Sequence, residues 1–175
     1  MDTGASSALD VQLLLAQVSA HFDGERDAVA NAANLCAFIM QTWSGLNWAG
    51  FYFVRAGELV LGPFQGKPAV ARIAHGAGVC GTAWAQRRTL VVADVHTFEG
   101  HIACDGSSNS EIVIPLIRAE VVLGVLDLDS PEFDRFDEAD RTALEALAAL
   151  YVSASGPLKY ARESWGVGAS KQMFP

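Results

Sequence analysis

The pattern that most constrains the fold is a change of hydrophobic period along the chain, from helical to strand-like and back. Apolar residues recur at helical spacing from about Ser7 to Phe22 and from about Arg26 to Trp43, and a last helix begins near Asp137. Between these helices, two pairs of strand-like segments are joined by two-residue turns. Helices at both chain ends, with hairpins in place of βαβ crossovers, predict an α/β fold of the α+β type. In it, a central antiparallel sheet is covered by helices.

The two predicted hairpins fill the middle of the chain. One spans residues 47–64 and turns at Ala56-Gly57, and the other spans residues 111–129 and turns at Ala119-Glu120. The sequence has no internal repeat and no linker, so we predict one domain at residues 1–155 and a C-terminal tail at residues 156–175. Cys36 falls within the apolar stripe of the second helix, which also includes Val29, and free cysteine at such a position is typical of a core.

Composition excludes several classes of function. The formal net charge of −8 argues against binding to nucleic acid or to an anionic membrane surface, because both require clustered lysine and arginine. No apolar run approaches the length of a spanning helix, and the acidic N-terminus predicts no secretory leader. Three cysteines at scattered spacings do not resemble a secreted disulfide framework. We therefore expect a cytoplasmic protein, in which any disulfide would be transient.

Two cysteines lie in small, polar surroundings that suit thiol chemistry. Cys80 is in the segment GVCGTA and Cys104 is in HIACD. A helix is predicted to begin just before Cys80, and a helix N-terminus favours a thiolate. Asp105 and Glu111 lie near Cys104 in sequence, and negative neighbours raise the pKa of a thiol. These considerations predict that Cys80 is the more readily ionised thiol.

Two acids and two aromatic residues form pairs that share a face of the sheet. Asp127 and Asp129 alternate with leucines, so both point to one side of a strand. They either are solvated at a strand end or form the floor of a pocket that takes an ammonium group or supplies a proton. Trp48 and Tyr52 lie four residues apart on an earlier strand. They either belong to the core or offer an aromatic wall to a ligand.

Three other motifs are weaker. Gly76, Gly78 and Gly81 match the dinucleotide fingerprint, but an antiparallel topology provides no βαβ unit, and a tight turn explains them better. The H-x4-H-x2-C run that begins at His96 lacks the paired cysteines of a zinc site, so we expect no metal and no cofactor. A Cys-His nucleophile for acyl transfer lacks the local signature of a cysteine protease and leaves the acids unexplained.

Six segments together resemble the free methionine-(R)-sulfoxide reductases, enzymes built on a GAF domain. The segments are NWAGFY, LGPFQGK, GVCGTA, DVHTFEGHIACD, SNSEIV and GVLDLDS, and they extend from about Asn47 to Phe136. GAF domains in general share the sheet, but they lack this set of cysteines, acids and aromatic residues. The resemblance implies an enzyme that reduces free L-methionine-(R)-S-oxide without a cofactor. It also implies recycling by a thioredoxin-type dithiol and, as a family trait, a possible homodimer.

The resemblance assigns a role to each residue that it matches. Cys104 matches the cysteine that attacks the sulfoxide sulfur and becomes a sulfenic acid. Cys80 matches the cysteine that resolves this sulfenic acid into a Cys80–Cys104 disulfide. The remaining matches surround the substrate: Trp48 and Tyr52 as aromatic walls, and Glu111, Asp127 and Asp129 as the acids that hold the amine and the sulfoxide.

One departure from the family pattern limits the choice of resolving cysteine. Many members carry a further cysteine just after the FQGK segment, where this chain has Pro68, Ala69 and Val70. The resolving role therefore falls to Cys80 alone. The alternative from another class is a non-catalytic GAF sensor that binds a small ligand. The two hypotheses differ in whether both cysteines are needed for anything beyond ligand binding: the reductase needs them and the sensor does not.

Overall fold

The computed structural model of the chain describes residues 8–100 and 106–158, and within them four helices and six strands. The helices are α1 (Ala8–His21), α2 (Ala28–Thr42), α3 (Gly78–Gln86) and α4 (Glu138–Ala154). The strands are β1 (Trp48–Arg55), β2 (Glu58–Gln65), β3 (Arg72–Ala74), β4 (Leu90–Val92), β5 (Ser110–Arg118) and β6 (Val121–Ser130). A 3-10 turn at Val95–Thr97 follows β4. The predicted α+β architecture is confirmed.

Acidic side chains define where two of the helices begin. The Asp27 carboxylate accepts hydrogen bonds from the backbone N–H groups of Val29 and Ala30 at the start of α2. At the start of α4, Asp137 and Asp140 form a reciprocal capping box. Each cap satisfies backbone donors that have no partner within the helix and typically contributes about 1 kcal/mol.

All six strands form one antiparallel sheet in the order β3-β2-β1-β6-β5-β4. The predicted hairpins are the pairs β1–β2 and β5–β6. Both turns use left-handed backbone, with φ of 50° and 85° at Ala56-Gly57 and of 45° and 66° at Ala119-Glu120. Such turns match the right-handed twist of the strands that they join. The pairing of β1 with β6 then joins the two hairpins at the centre of the sheet.

The two faces of the sheet are covered by different helices. Helices α1, α2 and α4, from both ends of the chain as predicted, cover one face and enclose the larger core. The short helix α3 covers the other face, together with a smaller apolar cluster. That second face carries the side chains of the candidate site. No helix within the described ranges combines the length and the apolar character needed to span a bilayer.

Cys36 is fully buried in the larger core, as predicted, and burial raises the pKa of its thiol to about 12. Val29 was assigned to the same stripe, but that prediction is wrong because its side chain is 46% exposed. Helix α2 is rotated so that its neighbours Ala28 and Asn31 face inward instead. Asn31 is tolerated there because its amide donates to the Ser155 hydroxyl and to a backbone carbonyl.

Candidate functional site

Strand register gathers residues from three strands onto one face. On β1, Trp48 lies opposite Asp129 of β6, which in turn lies opposite Glu111 of β5. One step along the strands, Gly50 lies opposite Asp127. Directly opposed residues in an antiparallel pair share a face, so one aromatic ring and three carboxyl groups lie side by side.

Gly50 makes room for the ring of Trp48. A Cβ atom at this position would collide with the far edge of the Trp48 indole and lie 2.5 Å from the Cβ atom of Phe64. In the absence of that atom, Trp48 stacks between Phe64 at 5.5 Å and Tyr52 at 6.0 Å, measured between ring centroids. The prediction that Trp48 and Tyr52 share a face is confirmed.

The polar atoms of both aromatic residues hold the connection between β2 and β3. The indole N–H of Trp48 donates to the Lys67 carbonyl at 3.0 Å, and the Tyr52 hydroxyl donates to the Val70 carbonyl at 3.0 Å. Both rings are buried beside the acids, although neither lines the small cavity described below. Their role as substrate walls therefore stays a prediction.

Helix α3 places Cys80 above the acids. Two glycines with left-handed backbone, Gly76 (φ 80°) and Gly78 (φ 58°), form the turn into the helix, and Gly81 packs against the carbonyl of Ala74 without space for a side chain. This tight turn accounts for the glycine motif, as predicted. The Cys80 thiol lies at the resulting close approach of helix and sheet and donates to Glu111 Oε1 at 3.9 Å.

The thiol and the carboxyl groups face one small cavity of about 20 Å³. Cys80, Glu111, Asp127 and Asp129 line it and are only 4–7% exposed. The alternative in which the acids are solvated at a strand end is thus wrong. The cavity has room for about one water molecule, so an amino acid can enter only if the surrounding side chains or segments rearrange.

Burial reverses the expectation that Cys80 ionises readily. Desolvation raises the pKa of the Cys80 thiol well above its ordinary value of 9.0, and the negative charges of Asp127, Glu111 and Asp129 raise it further. Cys80 does lie in the first turn of α3, but the loss of water and three acids outweigh the helix dipole. The sequence pattern locates the helix correctly, but it gives no information about how deeply the thiol is buried.

Asp127 is a strongly perturbed acid within the cluster. Burial raises the pKa of its carboxyl group from 3.8 to about 7, although hydrogen bonds with Cys80 and Glu111 lower it in part. Two carboxyl groups that share a hydrogen bond must carry a proton between them. The Asp127 Oδ1 atom has no hydrogen-bond partner among the described residues and faces the cavity. The site thus combines a proton on a carboxyl group with an unsatisfied acceptor.

The other candidate residues either lie away from this cluster or fall outside the described residues. His96 is exposed, and one of its ring nitrogens lies 3.0 Å from the side-chain oxygen of Asn109. His101, Cys104 and Asp105 lie outside the described residues. Among the residues that are described, Cys80, Glu111 and Asp127 are a set that could hold a metal ion.

Sequence reasoning overlooked a polar connection beside the site. Lys67 donates from Nζ to the Ser107 hydroxyl at 3.5 Å, and Asn47 donates from its amide to Ser108 at 3.0 Å. These contacts connect the segment after β2 and the residue before β1 to the segment before β5. Lys67 is in the motif FQGK, Asn47 is in NWAGFY and Ser108 is in SNSEIV, but their mutual contact depends on strand order, which the motifs do not specify.

Comparisons with known proteins place the chain among proteins of one family. The family model described as GAF domain matches residues 26–154. The free methionine-R-sulfoxide reductase of Escherichia coli is 50% identical over 126 residues, which cover 72% of this chain and 76% of that protein. The Saccharomyces cerevisiae enzyme of the same name is 43% identical over 157 residues, 83% of this chain and 87% of the relative.

A solved structure agrees with the sequence comparison. The X-ray structure of free methionine-R-sulfoxide reductase from Neisseria meningitidis in complex with its substrate has a TM-score of 0.82 and 42% sequence identity to this chain. The match covers 88% of this chain and 93% of that one. Fold and sequence similarity therefore extend together over most of the domain.

Proposed function

Since the chain belongs to the GAF-domain family and, within it, to the free methionine-R-sulfoxide reductases, we propose that it reduces free L-methionine-(R)-S-oxide to L-methionine. One feature of the site supports this activity above all others: a thiol and three carboxyl groups, all buried, face a single cavity. Sulfoxide reduction requires a thiol that accepts the oxygen and a proton donor that makes the sulfoxide sulfur electrophilic.

The first step is an attack on the sulfoxide sulfur by the Cys104 sulfur, as a thiolate whose proton has passed to solvent. A carboxyl proton from the cluster is donated to the sulfoxide oxygen, and Asp127 is positioned for this role because it shares a proton with Glu111 and faces the cavity. Methionine then leaves in reduced form, and the oxygen remains on Cys104 as a sulfenic acid. One oxygen atom and two electrons are exchanged, so no cofactor is needed.

Cys80 then resolves the sulfenic acid. Because burial and neighbouring acids keep its thiol protonated, Cys80 needs a base, and a carboxylate of the cluster can serve. Asp127 is left ionised after the first step and is hydrogen-bonded to the Cys80 thiol. Transfer of the thiol proton to Asp127 allows the Cys80 sulfur to attack the Cys104 sulfur and form the disulfide. The same proton passes to the departing hydroxide, which leaves as water. A thioredoxin-type dithiol returns two electrons and restores both thiols.

The buried acids also select a free amino acid. The ammonium group of free methionine sulfoxide can pair with Glu111 or Asp129, whereas a methionine within a polypeptide has no such group. A substrate that lacks the ammonium group would desolvate the buried carboxylates without offering them a cation in return. We expect N-acetylmethionine sulfoxide to react with a kcat/KM on the order of 10⁴-fold lower than free methionine sulfoxide. Comparable rates for the two compounds would refute this basis of selectivity.

Single substitutions of the three cysteines test the proposed roles. Cys104→Ser should abolish turnover, and retained activity above a few per cent would contradict its role as nucleophile. Cys80→Ser should complete about one reduction per chain and then stop when thioredoxin is the reductant. Normal cycling in that variant would remove Cys80 from the resolving role. Cys36→Ser is the matched control, because Cys36 lies in the core on the opposite face of the sheet, and it should cycle as the wild type does.

A further inference from the structure

We propose that the reduced protein binds one divalent cation of borderline softness, such as Zn²⁺, through Cys80, Glu111 and Asp127. Each of these residues offers one ligand atom, and the three atoms lie within 4.8 Å of one another. All three side chains are buried, so the donors converge on a small cavity and not on an exposed surface.

The distances within the cluster suit a zinc ion. Zinc binds thiolate sulfur at about 2.3 Å and carboxylate oxygen at about 2.0–2.2 Å, usually with tetrahedral geometry. Sulfur and oxygen ligands of one zinc ion are therefore separated by about 3.5 Å. The Cys80 sulfur and Glu111 Oε1 are separated by 3.9 Å. A shift of a few tenths of an ångström would bring both atoms to bonding distance.

The unsatisfied oxygen of Asp127 independently indicates a ligand at this point. Asp127 is only 4% exposed, and its Oδ1 atom has no hydrogen-bond partner among the described residues. A buried acceptor without a partner is unfavourable, and a cation in the adjoining cavity would satisfy it. The volume of about 20 Å³ admits a small ion, and a water molecule could complete its coordination if the neighbouring side chains relax slightly.

The donor set also identifies the class of cation. Mg²⁺ and Ca²⁺ prefer sites made entirely of oxygen, whereas one thiolate with two carboxylates suits Zn²⁺. The excess of negative charge in the cluster favours a cation, and because the cation must displace the thiol proton, zinc affinity should rise with pH. Spacing rules could not reveal this site, because its ligands come from α3, β5 and β6 and include none of the histidines.

Occupation by a cation would inhibit the enzyme, and this consequence rests on the proposed function. A cation held by Cys80, Glu111 and Asp127 would occupy the thiol and two of the acids that the substrate and the resolving step require. Zinc should therefore compete with free methionine sulfoxide. A chelator should restore full turnover, because metal binding is reversible and leaves the sulfur atoms reduced.

The direct test is a titration of chelator-treated, fully reduced and desalted protein with Zn²⁺, followed by calorimetry. We expect about one ion per chain, and no comparable heat with Mg²⁺. With Co²⁺ as a probe, a sulfur-to-metal charge-transfer band should appear in the near ultraviolet. Cys80→Ala should abolish that band, and both Cys80→Ala and Asp127→Asn should weaken zinc binding at least about tenfold. Cys36→Ala is the control and should bind as the wild type does.

Either of two results would overturn the proposal: unchanged zinc affinity in both site variants, or equal binding of Mg²⁺ and Zn²⁺. Asp127→Asn preserves the shape of the side chain, so it keeps the test valid if Cys80→Ala fails to fold. The metal titration does not depend on catalysis. A protein that binds zinc but reduces no sulfoxide would contradict the proposed function alone, and one that reduces sulfoxide but binds no zinc would contradict this inference alone.

Discussion

Asp127→Asn should stabilise the fold at neutral and higher pH while it removes activity. The substitution keeps the size and shape of the side chain but eliminates its charge. Burial raises the pKa of the Asp127 carboxyl group from 3.8 to about 7, so the folded state holds this proton more tightly than the unfolded state does. Because the pKa is raised, the stabilisation is complete below about pH 4 and is lost as the pH rises to about 7.

The size of the effect follows from the shift. A rise from 3.8 to about 7 corresponds to about 4 kcal/mol, at 1.36 kcal/mol for each tenfold change in proton affinity. Between about pH 5 and pH 8, the free energy of unfolding of the wild type should therefore fall by about 2–3 kcal/mol relative to Asp127→Asn. The shift belongs to an acid cluster that shares a proton, so the transition should be broad.

Urea unfolding at several pH values measures this difference, with a chelator present so that no metal contributes. Asp23→Asn is the matched control, because Asp23 lies in an exposed turn, and its unfolding should follow the wild-type pH profile. Asp127→Asn should also lower kcat by about 10²–10⁴-fold if Asp127 donates the proton. A stability difference that does not change with pH would refute the claim that Asp127 holds a proton in the folded protein.

Three further substitutions test the packing around the site and the core. Gly50→Ala should displace the Trp48 ring, lower the free energy of unfolding in urea by about 1–3 kcal/mol and raise KM. An unchanged KM would contradict a contact between Trp48 and the substrate. Trp48→Phe removes the hydrogen bond to the Lys67 carbonyl and should lower stability by about 1 kcal/mol, with faster amide exchange after β2. Leu147→Ala should lose about 2–5 kcal/mol in urea unfolding yet keep its kcat per folded molecule, since Leu147 lies in the opposite core.

The sequence was sufficient to predict the larger elements because their signals are local. Periodicity and turn residues located both hairpins, and Asp137 was correctly placed at the start of the last helix. The strands β3 and β4 were not predicted, since each has three residues and is too short to show a period. Their strand geometry comes from pairing with β2 and β5, which is a tertiary effect.

The site was predictable only in part, because its chemistry depends on contacts between distant segments. Alternation alone indicated that Asp127 and Asp129 share a face. Their position beside Glu111 and beneath Cys80 depends on the strand order and on the glycine turn before α3. The predicted ionisation of Cys80 failed for the same reason, since its sequence neighbours are not acids and the acids that raise its pKa lie on other strands.

The central claim is that the chain reduces a free sulfoxide with two of its own thiols. A single-turnover experiment tests it most directly: the pre-reduced protein is mixed with free methionine-(R)-sulfoxide, without thioredoxin and with a chelator present. Methionine formed and thiols lost are then counted. The account predicts about one methionine formed and about two thiols lost per chain. Intact thiols and no methionine would contradict it and would leave a GAF domain that shares the fold of these enzymes without their reaction.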